Sequence, residues 1–212
     1  MIHLDIFSDP VCPWCYIGKA HLDRALSARP NHPFVIEWHP FQLNPDMPPA
    51  GRDRAEYLEE KFGGRDKAVA IYARVEQAAA EAGVEIDFAA MKRMPNTLDA
   101  HRLIHWAGLE GRQTAVKSAL MRAFFRDGRD IGDTATLVAI AASAGMDAAV
   151  VARLLATDAD RDDIAARDMD ARRKGVSAVP TFLIARHYVV QGAQPPEVWL
   201  QVIDELLSRP EA

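Results

Sequence analysis

Strand-like alternation in this sequence is confined to its two ends, and that distribution constrains the fold more than any other feature. Near the start, Ile2, Leu4 and Ile6 alternate with His3, Asp5 and Phe7, although the second set is of mixed polarity. Phe34, Ile36 and Trp38 then alternate with Val35, Glu37 and His39. A period of two is the mark of a strand, so Ile2–Phe7 and Phe34–Phe41 are the first two strands expected. Strand character returns only at Thr181–Ala185 and Tyr188–Gln191, which flank Arg186-His187 and read as a hairpin.

The segments around these strands read as helices. Trp14–Ala28 joins the first pair; Pro13 stands just inside its start, where a missing N–H does no harm, and Pro30 and Pro33 end it. Asp160–Lys174 precedes the hairpin and Pro195–Leu207 follows it. The order is β-α-β and then α-β-β-α. A β-α-β unit implies a parallel pair with a right-handed crossover, and the hairpin adds antiparallel strands. The fold class is therefore α/β.

After Asn44 a Pro-rich loop, Pro45 to Pro49, opens a long stretch without strand signal. Helices are expected at Arg54–Phe62, Asp66–Ala82, Thr97–Ala107, Arg112–Arg126, Thr134–Ala144 and Asp147–Ala156. Most are stopped by glycine, and Asp133 is placed to cap the fifth. Val116, Leu120 and Phe124 are core candidates within the block. Because strands lie on both sides of it, the block is an insertion: residues 1–43 and 158–212 form one domain, and 44–157 a helical insertion domain.

The chain has 212 residues, 49% of them hydrophobic, enough for a sizeable core. A net charge of -5 leaves no footprint for nucleic acid and no polybasic patch for a membrane. No apolar run approaches the roughly 20 residues that cross a bilayer. Met1 to Phe7 reads as a strand rather than a secretory leader, so a cytoplasmic location is expected.

Only two cysteines are present, Cys12 and Cys15. The ring they would close is too small to be a useful staple, which points to chemistry or metal binding. A zinc site needs about four ligands. His101 and His105, spaced i, i+4 on one helix, could contribute, but they lie far off in sequence and no acid between them makes a zincin motif. A partly buried helix face is the preferred reading of both, and no metal is expected.

A C-x-x-C pair between a strand and a helix has a mechanical logic. The first helical turn carries unpaired N–H groups and partial positive charge, which favour a thiolate at Cys12. Cys15, one turn in, is placed to resolve the mixed disulfide that Cys12 forms. Pro13 helps start the helix and Trp14 supplies an apolar rim. Val179-Pro180-Thr181 stands at the entrance to the third strand, where proline is tolerated. Whether its bond is cis or trans is open at this level.

The stretch Ser8-Asp9-Pro10-Val11-Cys12-Pro13-Trp14-Cys15-Tyr16-Ile17-Gly18 resembles the thioredoxin superfamily, and more closely the FrnE-like branch of the DsbA family. Pro95-Asn96-Thr97, Ala100-His101-Arg102, Gly128-Arg129-Asp130-Ile131, Gly175 to Thr181 and Gly192-Ala193-Gln194-Pro195 extend the resemblance over nearly the whole chain. It implies a thioredoxin fold with a large all-helical insertion, a cis bond before Pro180, and a thiol–disulfide oxidoreductase working through Cys12 and Cys15. Related 2-hydroxychromene-2-carboxylate isomerases and kappa-class glutathione transferases make a glutathione-dependent isomerase or transferase the alternative, but they usually lack the second cysteine. A non-catalytic chaperone using the helical lid is a third class. A second cysteine pair near the C-terminus, found in some FrnE-like proteins, is absent here.

Further site expectations follow. Asp5 resembles the buried acid found on this strand in thioredoxin-like proteins, and is expected behind the disulfide as a proton shuttle for Cys15. A substrate groove between the two domains is expected to be walled by Pro13, Trp14, Asn96, Val179 and Pro180. The corner Gly192-Ala193-Gln194 is expected to accept the γ-glutamyl end of glutathione weakly, because the relatives commonly have Ser-Asp where this chain has Ala193-Gln194. The expected partners are a thiol-containing protein or a small-molecule thiol, with glutathione as co-substrate, in a monomer or homodimer; beyond the redox-active disulfide no cofactor is expected.

Overall fold

The computed structural model describes residues 1–208. The sheet has four strands in the order β2-β1-β5-β6: β1 (Ile2–Ser8), β2 (Phe34–Pro40), β5 (Thr181–Ile184) and β6 (Tyr188–Gln191). β1 runs parallel to β2, with Ile2 beside Phe34 and Ser8 beside Pro40. It runs antiparallel to β5, Phe7 facing Thr181, and β5 pairs antiparallel with β6. The helix α1 (Pro13–Ala28) makes the crossover and packs on α9 (Pro196–Ser208). Because β1 is central, Leu4, Asp5 and Ile6 are all buried, which explains the mixed polarity of its second face.

The insertion contains α2 (Arg54–Phe62), α3 (Arg65–Ala82), α4 (Leu98–Leu109), α5 (Gln113–Phe125), α6 (Thr134–Ser143) and α7 (Ala148–Leu155), and α8 (Arg161–Arg173) leads back to the sheet. Asp133 caps α6 by accepting from the Thr136 N–H. The insertion also holds a ladder the sequence does not announce: β3 (Arg52–Asp53) pairs with β4 (Arg93–Met94). Strands of two residues are too short to show alternation. Asp53 ends β3 and caps α2, accepting from the Ala55 and Glu56 N–H groups.

One hydrophobic core runs through sheet and insertion, from Leu4 and Trp38 to Leu103, Leu120 and Phe124. Two polar anchors tie the parts together. Arg102, fully buried in α4, donates to the carbonyls of Leu154, Thr157 and Ala159 and to Asp99. It thereby satisfies the chain that turns from α7 into α8. At the outer edge of the sheet, Gln113 of α5 acts as a substitute strand. Its Oε1 accepts from the Trp38 N–H at 2.8 Å and its Nε2 donates to the Trp38 carbonyl at 3.0 Å. The Trp38 indole N–H donates to the Thr114 hydroxyl at 2.9 Å.

Replacing Gln113 with Ala leaves both Trp38 backbone groups without their partner. Urea unfolding of Gln113→Ala is expected to show a loss of about 1–3 kcal/mol, the usual cost of stranding buried polar groups. A change below the error of the measurement would show that the edge does not depend on this side chain.

Candidate active site around Cys12 and Cys15

β1 ends at Ser8, and a turn in which the Cys12 N–H donates to the Asp9 carbonyl (3.1 Å) delivers the chain to α1. Cys12 is the N-cap, with extended backbone, and Pro13 opens the helix. The Cys12 carbonyl accepts from the Cys15 and Tyr16 N–H groups, so Cys15 sits inside the first turn. The two cysteines are unbonded and lie 3.4 Å apart. This is the dithiol form.

The bond between Val179 and Pro180 is cis. The Cys12 sulfur lies 3.7 Å from the Val179 carbonyl oxygen. Gly18 makes this approach possible: a Cβ there would lie 3.1 Å from Pro180 Cγ and 3.3 Å from Ala193 Cα. Bare backbone at Gly18 lets α1 seat the proline loop beside the thiols.

Cys12, Pro13, Trp14 and Val179 open onto a cavity of about 340 Å³ whose far wall is the α2–α3 pair, including Leu58 and Tyr72. Lys61 brings a cation to its rim. Trp14 is half exposed, whereas Cys12 is only 3% exposed. Cys15 is 1% exposed and is not part of the cavity wall. The cavity thus lies between sheet and insertion, where the groove is expected.

Two expectations about individual residues need correction, those for Asp5 and Asn96. Asp5 is not among the groups facing Cys15. Successive strand residues point to opposite faces, so Asp5 turns away from the side shared by Leu4, Ile6 and Ser8. Its carboxylate meets His39 Nε2 at 2.9 Å, with Glu37 close by. Asn96 lies outside that cavity wall; it donates to the Met47 carbonyl, tying the head of α4 to the Pro-rich loop, and accepts from the Leu98 N–H. Gly192, Ala193 and Gln194 sit against the proline loop. The Gly192 N–H donates to the Pro180 carbonyl at 2.8 Å, and the Gln194 amide folds back onto the Gln191 carbonyl. This corner braces the proline loop from behind.

The buried acid near the thiols is Asp9, fully buried, whose carboxylate accepts from the Leu43 N–H at 2.7 Å and from the Val11 N–H. His101 of α4 places Nε2 3.7 Å from it. Lys117 of α5 is fully buried as well and donates to the Ser8 carbonyl at 3.2 Å. The sequence shows Asp9 only as part of the motif around the cysteines and gives Lys117 no role. The signal for Lys117 is present: it precedes Leu120 by three positions and Phe124 by seven, on the helix face those residues bury. His101 and His105 both line a different cleft, beside His3 and His39.

Electrostatics divide the pair of thiols. The hydrogen bond Cys12 gives to Cys15, its own burial and the charge on Cys15 push the Cys12 thiol well above the usual range. Burial works against ionising Cys15, but the Cys12 hydrogen bond, Lys117, Ser8 and the Asp9 backbone together bring it below the usual range. The pair behaves as one acid that loses its first proton easily and holds its second. His101 is lowered by burial, which outweighs Asp9, and is neutral near pH 7. Burial lowers Lys117 to about 8.

The model of the DSBA-like thioredoxin domain matches residues 3–204. The Bacillus subtilis protein YwbO is 27% identical over 209 residues, 96% of each chain. A crystal structure of a probable DsbA oxidoreductase from Streptomyces coelicolor superimposes with a TM-score of 0.87 at 32% identity, covering 100% of this chain and 93% of that one. The cytosolic disulfide reductase DsbM of Pseudomonas aeruginosa, solved with GSH, has the same fold at 19% identity, with a TM-score of 0.70 over 98% and 100% of the two chains.

Because Asp9 opposes charge on Cys12 and Asp5 stands apart, two variants separate their roles. Asp9→Asn is expected to speed alkylation of the reduced protein at neutral pH several-fold. It also destabilises the fold by about 1–3 kcal/mol, since the amide meets the Leu43 N–H with weaker acceptance. Asp5→Asn is expected to leave the alkylation rate unchanged. Equal rates in all three proteins would remove Asp9 from the thiol environment.

Proposed function

The chain belongs to the DSBA-like thioredoxin domain family, and from that membership we propose that it exchanges a Cys12–Cys15 dithiol/disulfide with thiol substrates. One observation carries the reading: two free thiols 3.4 Å apart at a helix start, of which only Cys12 opens to a cavity. Cys12 is therefore the attacking sulfur. In the resting pair the proton stays on Cys12, which gives its hydrogen bond to Cys15; Cys12 attacks once that proton has passed to Cys15. A mixed disulfide forms. Cys15, held one turn behind, then attacks the Cys12 sulfur and releases the substrate thiol. The Val179 carbonyl and the backbone next to it offer an extended substrate a place to pair, as the family resemblance implies.

A cavity of about 340 Å³ suits a group the size of a small peptide thiol. A flat protein surface does not reach a sulfur so deeply set, so a protein substrate would enter as an extended segment. Lys61 at the rim favours a substrate carboxylate. Glutathione meets these requirements, and DsbM, which shares the fold, was solved with GSH. Lys61 on this wall offers a glutathione carboxylate a cation, which Gly192-Ala193-Gln194 does not. A reducing cytoplasm is the proposed setting, given the dithiol chemistry and the two-cysteine composition. No helix of the described residues is long and apolar enough to cross a membrane.

Replacing each cysteine tests the proposal. Cys12→Ser is expected to abolish reduction of a small disulfide. Cys15→Ser is expected to lower turnover by about two orders of magnitude or more and to accumulate one equivalent of mixed disulfide at Cys12, visible by mass spectrometry. Full turnover by Cys15→Ser would favour the glutathione-dependent isomerase or transferase instead. A mixed disulfide mapped to Cys15 in the wild-type protein would reverse the two roles.

A further inference from the structure

Thiol exchange as described leaves Lys117 without a task, yet its setting is unusual. The ammonium group can donate three hydrogen bonds. Its sole polar contact among the described residues is the Ser8 carbonyl, at 3.2 Å. The other near neighbour is the face of the Trp38 ring, 5.6 Å from the nitrogen to the centroid. A lysine fully inside a core normally lies against a carboxylate, because burying an unpaired ammonium is expensive. Here no carboxylate forms an ion pair with it among the described residues; the sulfurs supply the nearby negative charge.

The charged groups around Lys117 come from three elements. Cys15 and Cys12 at the head of α1, and Asp9 from the turn after β1, favour its charge; Lys19 of α1 opposes it. His101 of α4 feels the same lysine as an opposing charge and is neutral. Two of the three favourable groups are thus the redox centre itself. Forming the disulfide leaves both sulfurs neutral and Asp9 as the sole remaining counter-charge.

We propose that Lys117 holds a proton while the Cys12–Cys15 pair is reduced and gives it up when the disulfide forms. This rests on the pair being the redox centre. The reduced site carries one thiol, one thiolate and one ammonium. When Cys12 attacks a substrate disulfide, the substrate S–S bond breaks, a Cys12–sulfur bond forms, and the first substrate thiolate leaves. When Cys15 attacks Cys12, the mixed disulfide breaks, the intramolecular S–S bond closes, and the second substrate thiolate leaves. Two electrons pass from the dithiol to the substrate. Two protons end on the two product thiols, one from the remaining cysteine thiol and one from Lys117, which is left as a neutral amine. In the opposite direction Lys117 takes its proton back as the pair is reduced. Lys117 is a positioning residue in this scheme: it stabilises charge on Cys15 and stores a proton without touching substrate. The acid–base task expected of Asp5 is carried by a lysine from the insertion.

The test follows the lysine directly in the wild-type protein. Side-chain carbon and proton shifts of ¹³C-labelled lysines are recorded against pH, once with the pair kept reduced by dithiothreitol and once after oxidation with glutathione disulfide. The Lys117 signal is the one missing from Lys117→Arg; if that variant does not fold, through-bond assignment of the wild type identifies it. The expected result is proton affinity at least about tenfold higher in the reduced form than in the oxidised form, one unit in midpoint. The C12S/C15S double variant is expected to titrate like the oxidised form. Coincident midpoints in the reduced and oxidised wild type would overturn the role of Lys117 while leaving the redox reading intact. Failure of the wild type to exchange disulfides with either reagent would overturn the redox reading, and the proton store with it.

Discussion

The first turns of α5 against the sheet are the contact on which the rest of the molecule depends. Gln113 completes the edge of β2, Thr114 holds the Trp38 indole, and Lys117 reaches the carbonyl that ends β1. Three residues in the first turns of one helix thus close the sheet edge, fix the aromatic floor and set a charge behind the thiols. An isolated thioredoxin-like sheet would have to satisfy the edge of β2 with water. Here the insertion does so, and sheet and insertion share one core. The site is a product of that shared core rather than of either part alone.

Much of this was legible in the sequence because it is local. The strands, their order and the crossover follow from alternation and from proline and glycine punctuation. Cys12, Cys15 and Pro13 are placed by the strand–turn–helix junction they occupy, and the resemblance carried the cis bond before Pro180, which the structure has. Asn96 was legible in its lesser role, since an asparagine just ahead of a helix is a normal cap neighbour. What the sequence hid are pairings across elements. The ladder of β3 with β4 joins segments about forty residues apart, each too short to leave a pattern. Asp5 and Asp9 lie four residues apart in one segment, and strand parity together with the exit turn decides which of them turns toward the thiols. Lys117 could be recognised as a charge on an apolar helix face, but its neighbours depend on how α5 docks.

The depth of the thiols and the company of buried polar groups have one origin. Ser8, Asp9, His101 and Lys117 are all buried around the exit of β1, and among the described residues His101 Nε2 lacks a hydrogen-bond partner. Such a cluster weakens the fold, because every member gives up water. It raises the influence of each charge on its neighbours, because the same exclusion of water lowers the local dielectric. Under the proposed thiol exchange the site changes its charge with each turnover, and that exclusion of water couples its groups more strongly than solvent would allow.

The contact between Cys12 and Val179 spans 167 positions of the chain, and this bears on how the molecule is made. During synthesis at about 5–20 residues per second, both cysteines leave the ribosome roughly ten to thirty seconds before the loop that covers them. Throughout that interval they are ordinary solvated thiols, with neither Lys117 nor the cavity wall around them. Their protection from stray oxidants and metals must then come from the surrounding milieu, and the finished enclosure takes over only when the final hairpin slots beside the first strand.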